Sequence, residues 1–413
     1  MSGVDVSDAA THDADQSASR TGGAAGRRRA DDPPGKLYVE PTSECNLACR
    51  TCVRHSWDET GGFMEWTHFE RLAADFARIA PDGTVAFAGL GEPLLHPRFA
   101  DMVALVKDLG LRAEVTSNAM LLTPELARRL IDARLDQFVV SVDGTTAETF
   151  GEVRSGASLE RLVANVRLLD DRRPTVACTP AYPTSLQLMT SIAPSIRIGV
   201  EFVAMRSNVH QLPELQRLAA RLAASFIIVS NVLPYTPELI DEVLYERSVT
   251  SMTRAGTPQV PRWHLPLLEW NAQTAGPLGE VLKRATHVSI LGADLGAWAN
   301  HCPFVEAGAF AVRWDGAVSP CPPLLHSYRC YVQRREKLFT HHAVGRLDEA
   351  SLSSIWADPE YVAFRGRVLD FDFSPCVDCG GCELAEGNLE DCFGNEHPVC
   401  GDCLWARGAI RCA

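Results

Sequence analysis

The stretch that decides the fold is KLYVEPTSECNLACRTC, residues 36–52. Its first five residues, KLYVE, read as a buried strand. Three cysteines follow at the spacing Cys-x3-Cys-x2-Cys: Cys45, Cys49 and Cys52. In a parallel α/β sheet, ligands bind beyond the carboxyl ends of the strands. The three thiols are therefore expected at a binding site on that rim.

The same strand pattern recurs along the chain. Further strand candidates are TVAFAG from Thr84, RAEVTS from Arg112, QFVVSV from Gln137, RIGVEFV from Arg197 and FIIVS from Phe226. Between them, apolar residues recur at helical spacing, as in 99–109 and 159–169. Strands alternating with such helices predict βα units on a parallel sheet. Six units fit, whereas a complete TIM barrel has eight, so we expect an α/β fold: a partial (βα)6 TIM-like barrel followed by a small cysteine-rich domain.

Composition divides the chain into four segments. Residues 1–35 contain no Leu, Ile or aromatic residue and are expected to be a disordered tail. The partial barrel should occupy 36–236, a helical bridge broken by Pro and Gly 237–300, and the cysteine-rich domain 301–413. Within the barrel, 174–196 has four prolines and no clear period. We expect an irregular insertion there, with Cys178 as a small buried residue.

Charge and cysteine content narrow the class of protein. The net charge of −13 argues against a general nucleic-acid binder, which would be basic. The sequence has neither an apolar stretch of about 18 residues, as a membrane span needs, nor a secretory h-region. We therefore expect a cytoplasmic protein. Its fourteen cysteines, ten of them between 302 and 412, then point to metal binding rather than disulfides.

Three thiols in the first cluster suit a reactive metal centre. A structural zinc would take four ligands and a closed shell. A four-iron cubane held by three thiolates keeps one iron open for another ligand. The loop at 44–52 therefore favours a catalytic iron–sulfur cluster, with a loop zinc or unrelated thiols as the alternative.

This loop, together with the βα units after it, resembles the radical S-adenosylmethionine (SAM) enzymes. GLGEP (89–93) looks like the family's Gly-Gly-Glu-Pro motif, with Leu90 in place of the first glycine of the usual pair. VTSNAM, with Ala119 at a usual glycine, resembles the third-strand motif, while SVDG (141–144) and EVRSG (152–156) match the fourth unit. The resemblance implies SAM contacts from Glu92 at the methionine amino group, Ser117 and Asn118 near the ribose, Ser141, Asp143 and Arg154, and Asn231 beside the adenine.

The resemblance also implies a reaction. A reduced [4Fe-4S] cluster would pass one electron into SAM, and the resulting 5′-deoxyadenosyl radical would abstract hydrogen from a substrate. The electron would come from a donor such as ferredoxin or flavodoxin.

The C-terminal cysteines resemble a SPASM domain, which carries auxiliary iron–sulfur clusters. Cys302, Gly316 and Cys321 have the spacing of its opening, and Asp315–Gly316 between apolar runs predicts a hairpin. One or two auxiliary clusters are expected; Cys330 has no partner at motif spacing and is expected to be structural. The competing interpretation is a zinc ribbon at Cys379, Cys382, Cys400 and Cys403. The candidate auxiliary ligands, with their assignment open, are Cys302, Cys321, Cys376, Cys379, Cys382, Cys392, Cys400, Cys403 and Cys412.

The tail from Cys379 onward, with EPTSECNLACRTCVRHSWDE and EFVAMRSN, looks like the radical SAM maturases associated with tungsten-containing aldehyde ferredoxin oxidoreductases. That resemblance implies a transient partner, the oxidoreductase or its pterin cofactor, and neither nucleic acid nor membrane. Two alternatives stay open. A peptide- or protein-modifying maturase would normally need a docking domain ahead of the barrel, for which 1–35 leaves no room. A non-enzymatic cluster scaffold would not need the SAM motifs.

Overall fold

The computed structural model describes residues 28–169, 196–246, 263–265, 271–284, 288–290, 293–295, 300–379 and 382–412. Residues 1–27 of the predicted tail, nearly all of the predicted insertion at 174–196, and Cys178 lie outside the described residues.

Six parallel strands in chain order form the predicted partial barrel. Each strand pairs in parallel with the next, in the order β1 to β6. Continuous apolar runs such as FVV at 138–140 and VAF at 85–87 suit strands that are covered on both faces. The strands are β1 Lys36–Val39, β2 Thr84–Phe87, β3 Arg112–Ser117, β4 Gln137–Ser141, β5 Arg197–Ala204 and β6 Phe226–Asn231. The predicted α/β fold and all six predicted strands are confirmed.

Helices of this half follow the strands at the predicted places. They are α1 Trp66–Ile79, α2 Phe99–Asp108, α3 Pro124–Asp132, α4 Ala147–Val153, α5 Leu159–Val166 and α6 Leu212–Arg221. Short 3-10 helices lie at Val53–Ser56, Pro93–Leu95, Arg167–Leu169, Val209–Gln211 and Pro237–Glu242. Three α-helices begin with a side-chain cap: Thr123 on α3, Thr146 on α4 and Ser158 on α5 each accept a backbone N–H.

The segment 237–300 differs from the predicted helical bridge. Its described part includes the helix α7 Ala275–Arg284 and three short strands, β7 Trp263–Leu265, β8 Val288–Ile290 and β9 Ala293–Leu295. These strands form a small three-stranded sheet in the order β7-β8-β9, which is separate from the barrel sheet. The three strands were not predicted from the sequence. Each strand is only three residues long, which is too short to show an alternation of apolar and polar residues.

The C-terminal segment extends the barrel sheet past its first strand. β10 Ala309–Val312 pairs in parallel with β1, β11 Ala317–Ser319 pairs antiparallel with β10, and β14 Gly345–Arg346 closes that edge. The predicted Asp315–Gly316 turn joins β10 to β11, with Gly316 at φ 87°. The remaining elements are β12 Tyr328–Val332, β13 Arg335–Phe339, α8 Pro303–Glu306, α9 Leu352–Trp356 and α10 Pro359–Asp370, with 3-10 helices Pro322–Leu324, Cys376–Asp378 and Glu383–Glu386.

Residues 28–35, predicted to belong to the disordered tail, are held against the C-terminal segment. The backbone oxygen of Ala30 accepts from Arg365 Nε at 2.8 Å, and that of Asp32 accepts from Trp356 Nε1 at 3.1 Å. The prediction was wrong for these eight residues. An argument from composition considers only apolar side chains, whereas these residues are held by backbone carbonyl groups that accept hydrogen bonds from distant side chains. In the described part of the chain, no helix is long and apolar enough to cross a membrane.

Candidate active site

A cavity of about 320 Å³ lies at the carboxyl ends of the barrel strands. The three thiols Cys45, Cys49 and Cys52 form part of its wall. Four other predicted contacts also line it: Glu92, Ser117, Asn118 and Arg154. Ser141, at the end of β4, joins them. The sequence therefore folds so that the loops after β1 to β4 face one space, as the parallel topology predicts.

The cluster loop is held by backbone contacts from two neighbouring loops. Arg50 N donates to Val153 O at 2.8 Å, and Glu92 N donates to Glu44 O at 2.8 Å. Gly91 makes the second contact possible: a Cβ there would overlap Thr42 O and lie 2.6 Å from Glu44 O. A glycine is needed where two backbones approach this closely.

The three thiols share one buried environment. Burial raises the pKa of Cys49 to about 11, against the lowering effect of nearby Arg154. Burial also raises the pKa of Cys45 and of Cys52. Thiols bind metal as thiolates and release their protons on binding. Among the described residues, no three His, Cys, Asp or Glu side chains converge as ligands of a single ion. The ligands of a cubane sit on separate irons, so three thiols around one cavity fit that group.

Glu92 is buried, with 2% of its surface exposed. Its Oε1 accepts from Ser117 Oγ at 2.7 Å and Leu94 N at 3.0 Å, and its Oε2 accepts from Asn118 N at 2.8 Å. Burial raises the pKa of this carboxyl group, and these three donors oppose the rise. A carboxylate has about four acceptor positions, so one stays available for a cationic amino group in the cavity.

Ser117 and Asn118 are engaged with the protein itself. The Ser117 hydroxyl donates to Glu92 and accepts from Ala119 N at 2.9 Å. The Asn118 amide donates to Asn46 Oδ1 at 3.0 Å and lies 3.8 Å from Cys45 Sγ. Both residues therefore position the carboxylate and the cluster loop from the cavity wall. Their predicted proximity to the ribose stays a prediction.

Asp143 lies behind the cavity wall. It is 1% exposed; its Oδ1 accepts from Val203 N at 2.9 Å, and its Oδ2 lies 2.9 Å from Arg154 Nη2. It does not line the described cavity, whereas Arg154 does. The Asp143 carboxylate therefore orients Arg154, and its predicted contact with SAM stays a prediction.

Asn231 anchors the C-terminal tail to the end of β6. Its Nδ2 donates to Ala409 O at 2.7 Å, and Ser230 Oγ accepts from Arg411 N at 3.0 Å. Asn231 is absent from the lining of the described cavity. Its predicted place beside the adenine stays a prediction.

Several cavity residues were missed by the sequence argument. Glu201 lines the cavity from β5, and burial, then Asp143, raises its pKa to about 7. Tyr235 and Tyr328 meet at 5.6 Å between ring centroids in an edge-to-face contact. The hydroxyl of Tyr328, which is 3% exposed, has no hydrogen-bond partner in the part of the chain that the structure describes. An acidic residue midway along the apolar strand β5 was the one signal that could have identified Glu201.

A buried histidine fastens the C-terminal segment to the barrel. His326 is 1% exposed; its Nε2 lies 2.9 Å from Glu40 Oε1 and its Nδ1 lies 2.6 Å from Glu59 Oε2. Burial lowers the pKa of His326, but the two carboxylates outweigh it and raise the pKa to about 9. The imidazolium therefore bridges the end of β1 and the loop beyond the cluster.

Four cysteines of the C-terminal segment lie near one another. The pKa of Cys321 is raised well above its ordinary value by burial and then by the thiolates of Cys302, Cys403 and Cys400. Burial, then Cys403, raises the pKa of Cys302 to about 12. These four thiols are near enough to interact electrostatically, and four thiolates complete the ligand set of a cubane.

Two other cysteines of this segment lie beside Ser374. Its hydroxyl lies 3.0 Å from Cys392 Sγ and 3.7 Å from Cys376 Sγ. Cys379 and Cys382 follow within six residues of Cys376. The predicted zinc ribbon would join Cys379 and Cys382 to Cys400 and Cys403, whereas the structure groups the latter pair with Cys302 and Cys321. Cys330 is fully buried in β12, as expected for a structural residue.

Cys412 lines the cavity of Cys45, Cys49 and Cys52, together with Trp405, Pro322 and Pro323 from the same C-terminal segment. Trp405 Nε1 donates to Cys412 Sγ at 3.0 Å. The side chain of Cys412 is exposed.

Comparison with known proteins agrees with this geometry. Residues 39–184 match the radical SAM superfamily, and residues 302–383 match the SPASM iron–sulfur cluster-binding domain. Over 383 residues the chain is 31% identical to the tungsten-containing aldehyde ferredoxin oxidoreductase cofactor-modifying protein of Pyrococcus furiosus, covering 91% of this chain and 96% of that protein. It is 24% identical over 383 residues to the PqqA peptide cyclase of Gluconobacter oxydans, covering 89% and 90%.

A solved structure shares the fold. The chain matches anSMEcpe with bound AdoMet at a TM-score of 0.53 and 16% identity, covering 91% of this chain and 93% of that one. At this identity the likeness concerns the arrangement of strands and helices.

Proposed function

The chain belongs to the radical SAM enzymes that carry a SPASM domain, and from that premise we propose that it modifies the tungsten-containing cofactor of an aldehyde ferredoxin oxidoreductase. Its cofactors are SAM and [4Fe-4S] clusters; reduction of the cluster that binds SAM releases a 5′-deoxyadenosyl radical from SAM. The 31% identity with the cofactor-modifying protein, spread over nearly both whole chains, carries the proposal.

We assign the parts of this reaction to the cavity. Cys45, Cys49 and Cys52 hold the SAM-binding cluster, and Glu92 receives the amino group of the methionine. Arg154, oriented by Asp143, supplies positive charge to the carboxylate side of the site. One auxiliary cluster is held by Cys302, Cys321, Cys400 and Cys403, and a second by Cys376, Cys379, Cys382 and Cys392. Support comes from the shared cavity, from the proximity of the first four thiols, and from the contacts of Cys376 and Cys392 with Ser374.

The walls of the cavity favour a flat substrate. Four aromatic side chains line it: Tyr38, Tyr235, Tyr328 and Trp405. Aromatic faces and edges stack against conjugated rings. SAM brings one such ring, its adenine, and a pterin would bring a second. A protein-bound pterin reaches a cavity of this kind by docking, so we propose a transient complex with the oxidoreductase, and a ferredoxin- or flavodoxin-type electron donor in the cytoplasm.

The test uses the oxidoreductase purified from cells that lack this protein. It is incubated anaerobically with the enzyme, SAM and reductant, and the control is the variant with Ala at positions 45, 49 and 52. A mass change in the cofactor, or a gain of oxidoreductase activity, in step with 5′-deoxyadenosine is expected with the wild-type enzyme alone. Full activity of the untreated oxidoreductase would contradict the proposal.

Peptide modification is the second candidate, because the PqqA peptide cyclase matches over 89% of the chain. A short precursor peptide that gains a cross-link only with SAM and active enzyme would favour it. The same incubation with the oxidoreductase would then leave both cofactor and activity unchanged.

A further inference from the structure

The C-terminal tail brings a thiol into the radical cavity. Cys412 lines the same cavity as the cysteines of the cluster loop, although it lies more than 350 residues away from them in sequence. Three hydrogen bonds fix the tail there: Asn231 to Ala409 O, Arg411 N to Ser230 Oγ, and Trp405 Nε1 to Cys412 Sγ. These bonds hold the tail and the side chain of Cys412 in one position at the cavity.

Nine cysteines of the C-terminal segment are candidate auxiliary ligands, whereas two cubanes with four thiolates each take eight. Among the described ones, Cys412 is the candidate that lines the cavity in which the radical forms, which makes it the one surplus to ligation. Tyr328, whose buried hydroxyl has no hydrogen-bond partner in the described chain, lines the same cavity.

We propose that Cys412 is the hydrogen-atom donor of the active site. Trp405 donates its N–H to the sulfur, which leaves the S–H hydrogen free to face the cavity. An S–H bond is weaker than the C–H bonds of most organic substrates, so transfer of its hydrogen to a carbon radical is downhill.

Hydrogen transfer by Cys412 begins with the adenosyl radical and ends with the restored thiol. The adenosyl radical takes a hydrogen atom from a substrate C–H bond and becomes 5′-deoxyadenosine. The substrate radical takes the hydrogen atom of Cys412, so one C–H bond forms, the S–H bond breaks and a thiyl radical is left on Sγ. One electron from a low-potential iron–sulfur or flavin donor and one proton from water restore the thiol. This inference is independent of the identity of the substrate.

The test needs no substrate. In D2O, the reconstituted enzyme with SAM and dithionite cleaves SAM without a partner, and the adenosyl radical must take hydrogen from the cavity. The O–H bond of water is too strong to donate a hydrogen atom, whereas the Cys412 thiol exchanges with D2O. Mass spectrometry should find one deuterium in the 5′-deoxyadenosine from wild type and from Cys330→Ala, a thiol outside the cavity.

Two variants decide the result. Cys412→Ser keeps the side-chain volume and an acceptor for Trp405, and Cys412→Ala removes the heteroatom; both should lose the deuterium and keep the iron content of wild type. Deuterium incorporation equal to wild type in both would overturn the proposal. A loss of iron in either variant would overturn it as well, because Cys412 would then be a cluster ligand.

Alkylation gives a readout independent of turnover. Iodoacetamide should modify Cys412 in the anaerobic holoenzyme, and SAM should protect it, whereas Cys330 should stay unmodified in both cases. A Cys412 that resists alkylation without SAM would contradict a free thiol in the cavity.

Discussion

Replacing Glu92 by Gln should weaken SAM binding without unfolding the protein. The substitution keeps the size of the side chain but removes the charge that would attract the methionine ammonium. It also places an NH2 group against one of the three donors that now point at the carboxylate, Leu94 N, Ser117 Oγ and Asn118 N. A hydrogen bond to a charged group contributes about 1.5–3 kcal/mol, so the Kd for SAM should rise roughly 10- to 150-fold.

Ser117→Ala provides an intermediate case. It removes one hydrogen bond to Glu92 and leaves the charge, so a loss on the order of 1 kcal/mol, about fivefold in Kd, is expected. Glu114→Gln is the matched control: Glu114 is also on the barrel but pairs with Lys36 at 3.0 Å, away from the cavity. Calorimetric titration of SAM into the anaerobic, reconstituted proteins measures all three. Wild-type affinity in the Glu92 variant, at wild-type iron content, would refute the reasoning.

Three further changes test the frame around the site. Gly91→Ala should prevent reconstitution of the first cluster, since its Cβ would overlap Thr42 O; iron content should fall by about four. Ala119→Gly should raise the free energy of unfolding by about 1 kcal/mol, because Ala119 is held at φ 58°, and a urea midpoint that falls would contradict this. His326→Gln should remove a pH-dependent contribution to the free energy of unfolding. Because the pKa of His326 is raised to about 9, the imidazolium stabilises the fold fully below pH 6.5, and this stabilisation is lost as the pH rises to about 9. The stability difference from wild type, on the order of 3 kcal/mol, should therefore narrow over that window, and a constant difference would contradict the assigned ion pair with Glu40.

The features that were predicted correctly are those that depend on residues close together in the sequence. Each barrel strand was readable because apolar runs alternate with amphipathic helices, and the β10–β11 hairpin because Asp315–Gly316 is a turn signal. The cluster loop followed from the spacing of Cys45, Cys49 and Cys52 after a strand. Such features depend on neighbours within about ten residues, where propensity and period act directly.

The remaining features depend on contacts between distant segments. The run AFAV of β10 predicts a strand but not its pairing with β1, which lies over 270 residues earlier. The ion pair of Asp143 with Arg154 was not predicted, because the motif does not show which side chains lie behind the cavity wall. The position of Cys412 in the cavity was missed because cysteine spacing records proximity in sequence, whereas the tail folds back across β6.

The most direct test of the account is cleavage of SAM by a variant with Ala at positions 45, 49 and 52. We predict no reductive formation of 5′-deoxyadenosine, while the iron content falls from about twelve to about eight per chain, at four irons per cubane. The reduced wild-type protein should also change its electron paramagnetic resonance spectrum on addition of SAM, and the variant should not. Cleavage at the wild-type rate by the variant would contradict the assignment of these three thiols to the SAM-binding cluster.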